Sequence, residues 1–205
     1  FLVYGTVAAL VFGELFFPGA DPAVGTIAAF GTFAAGYAAR PLGGIVFGHF
    51  GDRIGRKSMM LLTMALMGGG SFLIGLLPTY GAIGVWAPVL LVALRVVQGL
   101  AIGGEWGGAT LMVVEHAEST QGDRRGLWSS FTQLGAPLGS VLSAGVVALV
   151  SALPDDDFRS WGWRVPFLLS VVLLAVGLFV RLKVAESPLF AQGRREPATR
   201  PPVLE

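Results

Sequence analysis

Cysteine is absent from the 205 residues, which excludes disulfides and thiolate metal sites and leaves the redox compartment unread. Charge is scarce: 13% of the residues are Asp, Glu, Lys or Arg, against about 25% in a soluble domain whose surface must be wetted. There is no H-E-x-x-H and no G-x-S-x-G, so the usual metal and nucleophile arrangements of an enzyme are missing. No enzymatic activity, cofactor or metal is expected. The opening "FLVYGTVAALVFGELFFPG" has neither a basic n-region nor a small-residue cleavage site, so it is no secretory signal peptide. It also lacks an initial Met, from which we expect both ends to be cut. The net charge of +1 says little by itself, and no nucleic-acid partner is expected.

What is abundant is apolar: 54% of the chain is hydrophobic, more than a soluble domain can cover with polar side chains. The lipid bilayer is the solvent that fits. A spanning helix needs roughly 20 predominantly apolar residues, and the stretches near 26–50, 58–77, 86–116, 127–152 and 165–182 reach that length. Residues 1–17 read as part of a sixth. Gly-, Pro- or charge-rich connections such as "GDRIGRK" and "PDDDFRSWGWR" separate them, as expected where the backbone returns to water. The predicted fold class is therefore all-α, a polytopic six-helix transmembrane bundle over residues 1–190. The polar, Pro-rich segment 191–205 reads as a cytoplasmic linker.

Lys and Arg set the orientation. Ten of them (Arg53, Arg56, Lys57, Arg124, Arg125, Arg181, Lys183, Arg194, Arg195 and Arg200) fall on one side, and two (Arg159 and Arg164) on the other. The positive-inside rule puts the first set in the cytoplasm, with both ends inside a plasma or inner membrane. Pro41 and Pro137, each within a "PLG", weaken the local hydrogen-bond ladder and allow a bend near the midplane.

"GHFGDRIGRK", residues 48–57, closes the second span. Gly48 and Gly51 allow close backbone approach, and Gly55 can take positive φ in a tight turn. Asp52 is placed to cap the following helix and meet its dipole. Arg53, Arg56 and Lys57 either hold partners on neighbouring helix ends or anchor in lipid headgroups. G-x-x-x-D-R-x-G-R-K between two spans resembles the loop signature of the major facilitator superfamily. "RVVQGLAIGGEWGGA", "GAPLGS", "WGWRVPFLLS" and "ESPLF" resemble its metabolite:proton symporter branch, in order from residue 1 to about 190. That branch includes permeases for proline and betaine, α-ketoglutarate, shikimate and citrate.

The resemblance implies a twelve-helix transporter of two bundles, with this chain as the N-terminal one and a missing C-terminal six-helix bundle as its partner. It implies alternating access, with a small-molecule substrate and a proton as cargo and residues 48–57 as a gating loop. Two departures stand out. The E-W-Y-D-like run that family members carry upstream of the position of Phe1 is missing. "EHAESTQGDRRG" is longer by about two residues than the usual loop.

"RVVQGLAIGGEWGGA", residues 95–109, carries the intramembrane charge. Gly99, Gly103 and Gly107 recur every four residues, a spacing that lets helices pack closely in lipid. A charge at the bilayer centre costs at least about 2.5–3.5 kcal/mol and needs a partner or a water-filled cavity. Arg95 and Glu105 are about 15 Å apart along the helix and roughly 80° around it, so they cannot pair directly. Glu105 suits a proton carrier, since desolvation disfavours a carboxylate anion. Arg95 is a partner in that coupling or a lock to a carboxylate on another helix. Gln98 lies nearly on the face of Glu105 and, with Trp106 and Arg40, is a candidate for substrate binding. Arg40 matches a carboxylate in two hydrogen bonds, or else pairs structurally with Glu105 or a missing acid.

Glu14 is expected to snorkel to water. His49 and His116 read as interface residues, and Trp86, Trp161 and Trp163 as an outer aromatic belt. Proton-coupled symport of a small organic acid or zwitterionic metabolite is the function this pattern favours. A facilitator or antiporter on the same scaffold is the nearest alternative, and a non-transporting membrane sensor or scaffold the one from another class.

Overall fold

In lipid every backbone N–H and C=O must be satisfied within its own segment or a closed barrel, and this glycine- and alanine-rich chain takes the helical solution. The computed structural model describes residues 2–19, 21–120 and 125–183, and among them there is helix and no strand. The first span runs through α1 (Leu2–Val7), a π-helical turn (Ala8–Phe12) and α2 (Gly13–Phe16). Asp21 starts α3 (Pro22–Ile54): its carboxylate accepts from the Ala23 N–H at 2.9 Å, and Pro22 fills the first turn, where no N–H is needed. Then come α4 (Arg56–Leu76), the short α5 (Tyr80–Ile83), α6 (Trp86–Thr120) and α7 (Arg125–Val150). The last span follows α8 (Asp155–Ser160) and a 3₁₀ turn (Gly162–Arg164), and comprises α9 (Val165–Leu168) and α10 (Ser170–Lys183).

Every expected span thus has its helix. Lys57–Leu76, Trp86–Glu105 and Gly162–Val180 are long and apolar enough by composition alone to cross a bilayer, while Val3–Phe16 and Leu134–Val150 are shorter apolar helices. In α3 the glycines, Arg40 and Pro41 dilute the apolarity, not the length: its 33 residues reach roughly 50 Å, beyond a hydrocarbon core of about 30 Å. Both prolines lie inside unbroken helices. The outside of the bundle is apolar, with Ile27, Val141 and Leu149 at least 70% exposed, the reverse of a water-soluble surface. The expected linker 191–205 lies outside the described residues.

One seam organises the bundle. α3 and α6 share its most extensive contact and run side by side in the same direction. A Cβ on Gly99 would land on the carbonyl oxygen of Gly36, one on Gly103 on that of Arg40, and one on Gly43 on that of Leu100. Backbone therefore touches backbone, the approach that small residues permit where no hydrophobic drive exists between helices. Of the expected stripe, Gly107 lies outside the residues described in side-chain detail. α4 packs on the other side of α6, and α10 packs on α4.

The first span contributes a buried aromatic face. Tyr4, Phe12 and Phe16 are fully buried and meet Trp163 and Phe167, with Phe12 5.4 Å and Phe16 6.0 Å from the Trp163 ring. This corrects the expected belt. Trp86 and Trp161 are exposed, but Trp163 is at 0% exposure because the 3₁₀ turn points it inward onto the first span.

The ends are tied as well. Glu14 is exposed, as expected, and there it forms an ion pair with Arg159 of α8. At the opposite end Lys57 Nζ donates to the Leu182 carbonyl at 3.0 Å, occupying a free acceptor in the last turn of α10. Gly55, at φ 116°, makes the break between α3 and α4 that the loop motif predicts. Asp52 is not the N-cap residue of α4: α3 continues through Ile54 and keeps Asp52 in its last turn, and Gly55 takes the N-cap position.

Gly99→Ala is expected to destabilise the full-length protein in detergent by about 1–3 kcal/mol through overpacking. Gly31→Ala, where an added Cβ meets nothing within 4 Å, is expected to be neutral or slightly stabilising. Equal melting temperatures for the two variants would contradict the seam.

Candidate functional site

The site grows from a guanidinium placed where water is excluded. Arg95 on α6 is at 0% exposure. Its Cζ lies 3.3 Å from the centroid of the Tyr4 ring and 5.6 Å from that of Phe33, and its Nη1 donates to Gln98 Oε1 at 2.8 Å. Arg95 and Gln98 are three residues apart, hence neighbours on one helix face. Gln98 passes the connection on: Nε2 donates to Ser71 Oγ at 2.8 Å and to the Met67 carbonyl at 3.3 Å, both on α4. Gly70 makes room, since a Cβ there would fall 2.9 Å from Gln98 Cγ. On the other flank Tyr4 and Thr32 share a hydrogen bond between hydroxyls. Thr32 donates its proton to the Ala29 carbonyl at 2.7 Å, so Tyr4 is the donor between them.

A polar chain therefore runs from α3 through the first span and α6 to α4. Its members are neutral apart from Arg95. Among the described contacts, Arg95 meets a ring face and an amide, and Gln98 has both its oxygen and its nitrogen engaged at 1% exposure. It is drawn into the support of Arg95 and away from any open surface.

Arg40 is the second intramembrane guanidinium. It is half-buried on α3, with Cζ 3.8 Å over the ring of Tyr37, one turn earlier. Its carbonyl faces Gly103, eight residues beyond Arg95 on α6, which sets Arg40 about 12 Å further along the helix direction towards the C-terminal end of α3. The rings between the two arginines are in contact: Tyr4 stacks on Phe33 at 6.0 Å, and Phe33 meets Tyr37 edge-on at 4.9 Å. Two guanidiniums thus sit at the two ends of one aromatic ladder.

Glu105 is half-buried at nearly the depth of Arg40. It follows Gly103 by two residues, roughly 200° around α6, and so leaves the helix on the Gln98 side and away from the α3 seam. The side chains of Trp106, Arg56 and His116 lie outside the described residues. Gly48, Asp52 and Arg53 are exposed along the end of α3. They stand from about 12 Å (Gly48) to about 20 Å (Arg53) beyond Arg40 along the helix, so loop and charged centre are separate devices on one rod.

Sequence reasoning missed the tyrosines. The chain has three, and two of them carry the two intramembrane arginines on their faces. Tyr37 was legible, since it precedes Arg40 by three residues on a predicted helix. Tyr4 and Ser71 meet their partners only across helices, and no spacing announces them.

Comparison with known proteins agrees with this architecture. The "Sugar (and other) transporter" family profile matches residues 4–201. The chain is 51% identical to the shikimate transporter of Escherichia coli (strain K12), over all of this chain and 47% of that protein. It is 43% identical to the proline/betaine transporter of Salmonella typhimurium, over 94% of this chain and 38% of that protein. It thus spans less than half the length of these two relatives. The inward open structure of the xylose transporter XylE from E. coli superposes with a TM-score of 0.73 at 18% identity, over 95% of this chain and 48% of that one. The chain is a multi-pass membrane protein of the sugar (and other) transporter family of the major facilitator superfamily, a family of transporters and not of enzymes, in the branch that contains the shikimate and proline/betaine transporters.

Proposed function

We propose that this chain is one bundle of a secondary active transporter that couples proton entry to uptake of a small organic acid or zwitterionic metabolite by alternating access. A second six-helix bundle forms the other wall of the site. Residues 1–190 are the bundle and 191–205 a cytoplasmic linker, in the cell membrane with both ends inside, on the ten-to-two distribution of basic residues. One observation carries the reading. Arg40 stands half-buried in mid-membrane on a helix locked backbone-to-backbone to α6, and an intramembrane ionisable group marks a substrate or ion pathway. Relatives named for shikimate and for proline/betaine support a substrate that carries a carboxylate.

In this reading Arg40 receives that carboxylate in two hydrogen bonds. Arg95, held by Tyr4 and Gln98, positions the first span against α6 and contributes a fixed positive charge to proton coupling. Trp106 lines the cavity. Glu105 carries the proton: loading it from outside neutralises the only carboxyl among the described side chains of the membrane interior, and unloading restores it. Gly48, Asp52, Arg53, Gly55, Arg56 and Lys57 form a cytoplasmic latch on the end of α3 and the start of α4, held to α10 through the Lys57–Leu182 bond.

Glu105→Gln keeps the shape of the protonated state. In the full-length protein it is expected to abolish uphill uptake driven by a proton gradient while substrate counterflow persists, because exchange needs no net proton release. Retained accumulation would clear Glu105 of the proton role, and loss of both activities would make it a structural residue.

Asp52→Asn is expected to leave membrane abundance unchanged and to slow turnover at least about tenfold, since the latch must re-form in each cycle. Wild-type turnover at equal abundance would remove Asp52 from the mechanism.

A further inference from the structure

Glycine occurs three times in succession in α4, and the three have different surroundings. Successive residues of a helix point about 100° apart. A Cβ on Gly68 would fall 2.8 Å from Leu174 of α10, and one on Gly70 2.9 Å from Gln98 of α6. Packing accounts for both. Gly69 lies inside the same regular helix, and a Cβ there would meet nothing within 4 Å. What it contributes is backbone freedom, which loosens a helix interior relative to alanine. Ser71 loosens the same turn. Its hydroxyl donates back to the Met67 carbonyl at 3.0 Å, and Gln98 Nε2 reaches that carbonyl as well, at 3.3 Å. Gly/Ser pairs, back-bonded serines and side chains that enter the i→i−4 ladder are the recognised causes of helix bending.

The span packed on α4 is interrupted close to the same level. The two run antiparallel and interlock: Lys57 bonds to the Leu182 carbonyl, Met64 lies against Gly177, Leu174 against Gly68 and Phe167 against Gly75. In that register the junction of α9 and α10 at Leu169 falls opposite Leu73, about 6 Å along α4 from Gly69. There the ladder tightens to a 3₁₀-type bond, from the Val172 N–H to the Leu169 carbonyl at 3.1 Å, and a mid-helix 3₁₀ turn often marks a hinge. Ser170 bridges the two weak points, its hydroxyl donating to the Gly68 carbonyl at 3.4 Å.

We infer that α4 and the last span form a jointed pair that bends as one at the level of Gly69 and Leu169, with Gln98 as the pin that keeps the joint on α6. One arm pairs the first half of α4 with α10 and carries Lys57 and the end of the 48–57 loop. The other pairs Ser71–Leu76 with α9. Because the two weak points lie side by side, the knobs seated at Gly68, Gly75 and Gly177 keep their places while the arms turn. The frame of α3 and α6, locked backbone to backbone, stays fixed beneath them. The joint belongs to one bundle and is independent of the substrate and of the residue that carries the proton.

Pulsed electron–electron double resonance on the full-length protein reads the swing. Spin labels go on Ile45→Cys of α3 and Val180→Cys of α10, both exposed positions, in a protein freed of other cysteines; residues 1–205 have none. Gly69→Ala restricts the backbone at the joint and should narrow the distribution of label distances about twofold or more. Gly31→Ala, at an equally open glycine on α3, should leave the distribution unchanged. Melting temperatures in detergent separate the joint from packing. Gly69→Ala should melt at or above wild type, and Gly68→Ala and Gly70→Ala below it. An unchanged distribution in Gly69→Ala, the same narrowing in Gly31→Ala, or a Gly69→Ala melting temperature as low as that of Gly70→Ala would each overturn the inference.

Discussion

A guanidinium inside a bilayer must be given partners, and the way Arg95 is given them fixes how four spans sit. At 0% exposure it has no route to water. Its stabilisation comes from the Tyr4 ring on one side and the Gln98 amide on the other. Each partner is itself committed, Tyr4 to Thr32 of α3 and Gln98 to Ser71 and Met67 of α4. Moving any of these helices away from α6 would strand a charge or a buried amide, and stranded polar groups cost more than the bonds they replace contribute. The charge thus works as a specification of the bundle. It is satisfied only when the first span, α3, α4 and α6 are all in place.

That arrangement requires glycine. The seam of Gly36, Gly43, Gly99 and Gly103 brings α3 and α6 into backbone contact, and only at that separation do Phe33 and Tyr37 reach the layer in which Tyr4 covers Arg95. The seam also sets the depth of Arg40 opposite Gly103. Packing and chemistry therefore have one cause: the residues that let two helices touch also place two guanidiniums on a shared aromatic ladder. The proposed alternating access, in which a bundle rocks as a unit, needs such internal rigidity, and the ties at the two ends, Glu14 to Arg159 and Lys57 to the Leu182 carbonyl, extend it.

Much of this was legible before the structure. The six spans follow from apolar length, the break at Gly55 from the loop motif, and the seam from the four-residue glycine spacing on α6. What could not be read was any partnership across helices. Arg95 was read as a partner in proton coupling or as a lock to a carboxylate on another helix, and neither reading named the ring and the amide that it meets. Gln98 was set beside Glu105 by a seven-residue repeat, while the three-residue step to Arg95 carries the hydrogen bond. Trp163 was placed at the membrane surface by its position near a span end, and the 3₁₀ turn instead rotates it into the core. The π-helical turn at Ala8–Phe12 has no marker such as proline, and it changes which residues of the first span face inward.

The central claim is that Arg95 and Tyr4 act together to hold the first span against α6. A double-mutant cycle in the full-length protein, with Tyr4→Leu, Arg95→Met and the pair, measures this through unfolding in detergent. The account predicts that the two changes are not additive, with a coupling of about 1–2 kcal/mol, as expected for a desolvated cation over a ring. Additive losses, with the double variant destabilised by the sum of the singles, would contradict it.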